Sequence, residues 1–159
     1  MTEPCADAMS CNMSDLLRSQ IDGPGMELFD AHAIRDTWRE HRASSVRAPC
    51  HFYLHIPFCR QRCSYCCYYS IASSGGSQVD AYLSSLQQAM SFFAPVFARR
   101  PFQTLYIGGG TPSLLTPKQL QGLLSNLFST FKFDAEGQIA VECNPFSVTR
   151  EKMDILSQF

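Results

Sequence analysis

His51-Phe52-Tyr53-Leu54-His55-Ile56-Pro57-Phe58-Cys59-Arg60-Gln61-Arg62-Cys63-Ser64-Tyr65-Cys66-Cys67 decides how the rest of the chain is read. The first six residues make a short β-rich run, and Pro57 ends it. A loop with four cysteines follows at once. Eight cysteines are many for 159 residues. Met1 to Met13 lacks the basic start and apolar stretch of a secretory signal, so a reducing cytoplasm is the expected setting and metal binding is a better use for these thiols than disulfides.

The alternation of elements continues downstream. Val79, Tyr82, Leu83, Leu86, Met90 and Phe93 recur at helical spacing. Phe102 to Ile107 reads as a second strand, closed by Gly108-Gly109-Gly110-Thr111-Pro112. Thr116 is an N-cap, Pro117 suits the first helical position and Gln119 completes a capping box. Leu120, Leu123, Leu124, Leu127 and Phe128 form the buried face of that helix. Gln138 to Cys143 reads as a third, buried strand, broken by Asn144-Pro145. Thr149 starts a third helix, with Met153 and Leu156 facing inward. Strand, helix, strand, helix, strand, helix predicts an α/β fold with βα units on a parallel sheet. Residues 1–48 form a separate extension, in which Met26 to Arg42 is a candidate helix with Phe29, Ala33, Ile34 and Trp38 loosely on one side. Residues 49–159 form the core.

Chemistry-bearing residues fall at the C-terminal ends of the strands, the edge where α/β folds build their sites. Cys59, Cys63 and Cys66 are spaced Cys-x-x-x-Cys-x-x-Cys, and Arg60 and Arg62 favour their thiolate forms. Three thiolates could hold three irons of a cubane cluster and leave one iron open. Taken alone the loop also suits structural zinc, with Cys67, His51 or His55 as further ligands. The glycines after strand two permit close backbone approach to a ligand. They match neither Gly-x-Gly-x-x-Gly nor a phosphate loop, and a plain tight turn is the alternative. Glu142 is a carboxylate in an apolar strand, suited to ribose hydroxyls or an ammonium, or else to a neighbouring Lys or Arg. Cys143 reads as a small core residue. A net charge of -1 and the lack of a long apolar run predict neither nucleic-acid binding nor a membrane span.

Taken together these motifs resemble the radical SAM superfamily, most closely its oxygen-independent coproporphyrinogen III oxidase branch. Tyr53 to Cys59, Cys63-Ser64-Tyr65-Cys66, Gly108 to Pro112 and Glu142-Cys143-Asn144-Pro145 are similar to four of its motifs, in order. The resemblance implies the first three βα units of a partial (β/α)6 TIM-like barrel. It implies a [4Fe–4S] cluster on Cys59, Cys63 and Cys66, with S-adenosylmethionine (SAM) chelating the fourth iron. Gly109, Gly110 and Thr111 would contact SAM, Glu142 would bind its ribose or a second SAM, and Tyr53 and Tyr65 would line the pocket. An electron from a donor such as flavodoxin or ferredoxin would cleave SAM to a 5′-deoxyadenosyl radical. In the oxidases that radical leads to decarboxylation of porphyrinogen propionates. The oxidase pattern has a further cysteine two residues after the third. Here that position is Tyr68, so a haem chaperone or a radical methyltransferase of the same branch fits as well. Three units of six predict a fragment that is inactive alone. They also predict a free strand edge and a wet apolar inner face that drive association.

Overall fold

The computed structural model describes residues 31–43, 49–73, 75–98 and 101–159. Its elements are α1 (Ala31–Ala43), β1 (His51–Ile56), β2 (Phe58–Cys59), β3 (Ile71–Ala72), α2 (Ser77–Phe97), β4 (Phe102–Gly109), a 3-10 turn (Pro112–Leu114), α3 (Pro117–Thr130), β5 (Phe133–Val141) and α4 (Arg150–Leu156). Three strands form a sheet in the order β1-β4-β5, parallel throughout. The expected βα alternation is therefore present. Thr37–Phe159 form one compact unit. Within it, Trp38 on α1 lies 5.8 Å from the ring of Phe97. The expected helix over Met26 to Arg42 is found from Ala31, and its first residues, with Phe29, lie outside the described residues.

β1 matches its expected bounds because Pro57 has no N–H to continue the ladder. α3 starts as its sequence signals require: the Thr116 side chain accepts from the Gln119 N–H, and the Gln119 side chain accepts from the Thr116 N–H. One face of the sheet is dry. Leu54, Ile56, Leu105 and Ile107 meet Val79 and Met90 of α2, Leu120, Leu123, Leu124 and Leu127 of α3, and Ile155 of α4. Each such buried aliphatic side chain contributes about 1.5–3 kcal/mol. At the end of the sheet away from the cysteines, Phe52, Phe102 and Phe131 stack with centroids 5.0–5.8 Å apart.

Several expectations are corrected. β5 begins at Phe133, five residues early, and its burial pattern is that of an edge strand rather than a buried one. Cys143 lies beyond that strand and is exposed instead of joining the core. On α4 the buried residues are Lys152 and Ile155, and Met153 is 50 % exposed. Ile155 and Leu156 take the inward face, so Met153 points away.

The other face of the sheet is polar, contrary to the expected apolar interior. The register sets three rungs across it: His51, Thr104 and Gln138; Tyr53, Tyr106 and Ala140; His55 and Gly108, with Glu142 following β5. His51 Nδ1 lies 2.9 Å from Thr104 Oγ1. A face that satisfies itself with hydrogen bonds tolerates water. The drive to associate therefore lies in the β5 edge, unpaired among the described residues, and in Ile139 and Phe146, 43 % and 95 % exposed. We expect the isolated chain to self-associate in sedimentation, and a monodisperse monomer at high concentration would contradict this.

Candidate functional site

The cysteine loop is clamped at both ends. β2 pairs in parallel with β3, matching Phe58 with Ile71 and Cys59 with Ala72. The Ile71 N–H donates to Pro57 O at 2.7 Å, and the Ser73 N–H donates to Cys59 O at 2.8 Å. Phe58 is buried, with its ring edge-on to Tyr82 at 5.4 Å. Cys59 thus stands at a fixed base, and the chain loops out beyond it. The Cys66 N–H donates to Cys63 O at 3.1 Å, making a tight turn. Cys59 and Cys66 are half-buried, Cys63 and Cys67 are exposed, and none is in a disulfide. Among the described residues no three His, Cys, Asp or Glu side chains are already gathered as a metal site. Three thiols on one loop, only the first of them held rigidly, are nevertheless a donor set suited to three irons. Tyr65 is 87 % exposed, and the nearby Cys63 thiol raises its pKa.

The glycine motif is pressed against this loop. The Gly110 N–H donates to Ile56 O at 2.8 Å. A Cβ on Gly110 would lie 2.7 Å from Phe58 O and 2.9 Å from Pro57 C. Gly109 has φ +117°, and a Cβ there would lie 2.7 Å from the His55 ring. The space these glycines spare is therefore occupied by the β1–β2 backbone and His55. A side chain at Gly110 would meet the β1–β2 backbone first. The next residue, Thr111, directs Oγ1 at Cys59 Sγ, 3.6 Å away. The second strand end thus reaches the first cysteine directly.

Glu142 is half-buried at the third strand end. Tyr106 donates its hydroxyl to Oε1 at 2.7 Å, and the Gly109 N–H donates to Oε2 at 3.1 Å. These neutral donors take the place of the Lys or Arg considered from sequence. Two bonds leave lone pairs on both oxygens for a ligand hydroxyl or ammonium. The bond to Glu142 is the main cause of the raised Tyr106 pKa. Tyr53, 55 % exposed, stacks on Tyr106 at 5.9 Å. Its hydroxyl is 3.0 Å from His55 Nδ1, and His55 Nε2 is 3.0 Å from Tyr69 O. A carbonyl only accepts, so Nε2 donates to Tyr69 O. Both His55 nitrogens thus take part in hydrogen bonds.

Loops from all three strand ends enclose a cavity of about 360 Å³ lined by Arg60, Gln61, Thr111, Leu114, Asn144, Phe146 and Ser147. A larger one, about 780 Å³, lies between α2 and α3, away from the cysteines, and none of the expected site residues lines it. Sequence reasoning missed the polar cluster beside the first cavity: Ser113, Ser147 and Lys152. Its one available signal was the spacing of Lys152 with Ile155 and Leu156, which places the lysine on the inward face of α4.

The sequence profile of the Radical SAM superfamily matches residues 53–159, about two thirds of the chain, and the chain belongs to that superfamily. Its relatives place it in the HemN/HemW branch. The oxygen-independent coproporphyrinogen III oxidase of Escherichia coli is 35 % identical over 108 residues, 68 % of this chain and 24 % of the relative. The heme chaperone HemW of Bacillus subtilis is 37 % identical over 109 residues, 67 % of this chain and 28 % of the relative. The solved structure of the Escherichia coli coproporphyrinogen III oxidase HemN, described as a radical SAM enzyme, superposes with a TM-score of 0.70 at 31 % identity. It covers 82 % of this chain and 29 % of that one. The chain spans about a quarter of the length of these curated relatives. Membership implies a [4Fe–4S] cluster and SAM. No helix among the described residues is long and apolar enough to cross a membrane.

Proposed function

We propose that the chain supplies the first three βα units of a partial radical SAM barrel and binds a [4Fe–4S] cluster through Cys59, Cys63 and Cys66, with SAM against Tyr53, Tyr65, Gly109, Gly110, Thr111 and Glu142. The observation that carries this reading is the convergence of three separate strand ends: Thr111 reaches Cys59, and the Gly109 N–H reaches Glu142. When bound, the cluster supplies one electron that cleaves SAM to a 5′-deoxyadenosyl radical. The chain's own residues have simpler tasks. The thiolates hold iron, Glu142 offers its remaining lone pairs, and the Tyr53–Tyr106 stack offers an aromatic floor. The reaction we infer is coproporphyrinogen oxidation, with a porphyrinogen-like substrate, a flavodoxin or ferredoxin as electron donor and a cytoplasmic setting. The chain spans about a quarter of its relatives' length, and by itself it is expected to be inactive.

The test is anaerobic reconstitution with iron and sulfide, followed by equilibrium dialysis against labelled SAM. We expect iron-dependent SAM binding. Glu142→Ala should weaken it by about tenfold or more at unchanged iron content, as expected when a charged hydrogen-bond partner is lost. An iron-loaded chain that ignores SAM, or a preparation that takes up zinc in preference to iron, would overturn the reading. A second reading, a haem chaperone, is favoured by Tyr68 at the position of the oxidase pattern's further cysteine and by the likeness to HemW. A Soret band on titration with haem would support it.

A further inference from the structure

A buried cation next to the cavity is not used by any of the chemistry above. Lys152 is 8 % exposed. Its Nζ donates to Ser113 O at 2.7 Å and to Ser147 O at 2.8 Å. Ser113, itself 4 % exposed, has its Oγ 2.7 Å from Ser147 Oγ and accepts from the Asn144 N–H at 2.8 Å. Ser113 lies in the 3-10 turn two residues after Thr111, and Ser147 lies in the loop that leaves Glu142. The two loops are joined through one ammonium and two hydroxyls, and Thr111, Asn144 and Ser147 line the 360 Å³ cavity between them.

We propose that Lys152 is a positioning residue for SAM: its ammonium ties the loop after β4 to the loop after β5 and so sets Thr111 against Asn144 across the cavity. The proposal rests on the reading of these two loops as SAM contacts. Burying an ammonium is costly, and an apolar side chain on α4 would fill the same space without that cost. What the lysine adds is a pair of bonds to backbone carbonyls of two loops. Because the acceptors are main-chain atoms, the bonds fix the course of each loop. Burial pushes the Lys152 pKa down, opposed by the Cys143 thiol and Glu151. The donor distances of 2.7 and 2.8 Å are those of a charge-assisted pair.

The experiment compares the full chain with Lys152→Met and Lys152→Arg after anaerobic reconstitution. The readouts are iron content, SAM affinity by dialysis and amide exchange over 111–114 and 144–147. Lys152→Met is expected to keep its iron, to bind SAM about tenfold more weakly and to exchange faster in both loops, as for loss of buried hydrogen bonds. Lys152→Arg, which keeps the charge and the donors, should restore most of the affinity. If Lys152→Met does not fold, Lys152→Gln is measured in its place. It removes the ammonium, can reach at most one of the two carbonyls at a time with full strength and should weaken SAM by about threefold. A folded Lys152→Met chain, or in its place Lys152→Gln, with parental SAM affinity would overturn the proposal. A lowered melting point alone would then assign Lys152 to stability. A parent chain that holds iron but binds no SAM would overturn the underlying reading, and the role of Lys152 with it.

Discussion

Alanine at Cys59, Cys63 or Cys66 is expected to abolish the iron–sulfur chromophore after anaerobic reconstitution, with iron and sulfide falling together. In the proposed assignment each thiolate supplies one of three protein ligands. The effect should be close to all-or-none, because a cubane held by two thiolates would leave two irons without protein ligands. Cys67→Ala should keep most of the cluster. Cys67 is exposed and directly follows the turn that joins Cys63 to Cys66. The readouts are visible absorption and metal analysis. Loss of the cluster in Cys67→Ala with retention in Cys66→Ala would reverse the ligand assignment. Among the three, Cys59→Ala also removes the sulfur that Thr111 faces, so it alone should disturb the loop after β4.

Gly110→Val is expected to disrupt the loop after β4 and the cysteine loop together. Its Cβ would meet Phe58 O at 2.7 Å and the Pro57 carbonyl carbon at 2.9 Å, and backbone atoms cannot rotate away as a side chain can. Relief requires breaking the Gly110 N–H bond to Ile56 O or shifting the β1–β2 connection that carries Cys59. We expect both cluster assembly and SAM binding to fall, and stability to drop by about 1–3 kcal/mol, the usual range for overpacking. Gly122→Ala is the control with the opposite sign. Gly122 lies in α3, and a Cβ there would meet nothing within 4 Å. Removing a glycine from a helix interior should stabilise by about 0.5–1 kcal/mol. Denaturant midpoints for the two variants read both effects. Iron content and SAM affinity unchanged in Gly110→Val would show that the loop after β4 does not seat the cysteine loop.

Local pattern and tertiary contact contributed different things here. β1 from His51 to Ile56, the cap at Thr116 and Gln119, and the buried face of α3 follow from the sequence alone, since proline geometry, capping and helical periodicity act within one turn or one strand. The placing of Cys59, Gly109 and Glu142 at strand ends follows as well, because alternating elements with sharp breaks leave little freedom in where each strand stops. The partners of those residues do not follow. Glu142 and Tyr106 are 36 positions apart, and Thr111 and Cys59 are 52 apart. Only the register of β1, β4 and β5 decides which of them meet. The same long-range geometry turned Cys143 outward, made β5 an exposed edge and filled the open face of the sheet with hydrogen-bonded tyrosine, histidine and threonine. It also buried Lys152, because a charge can enter the interior only where folding brings acceptors to it. Those acceptors, Ser113 O and Ser147 O, come from two loops joined by nothing but the tertiary fold.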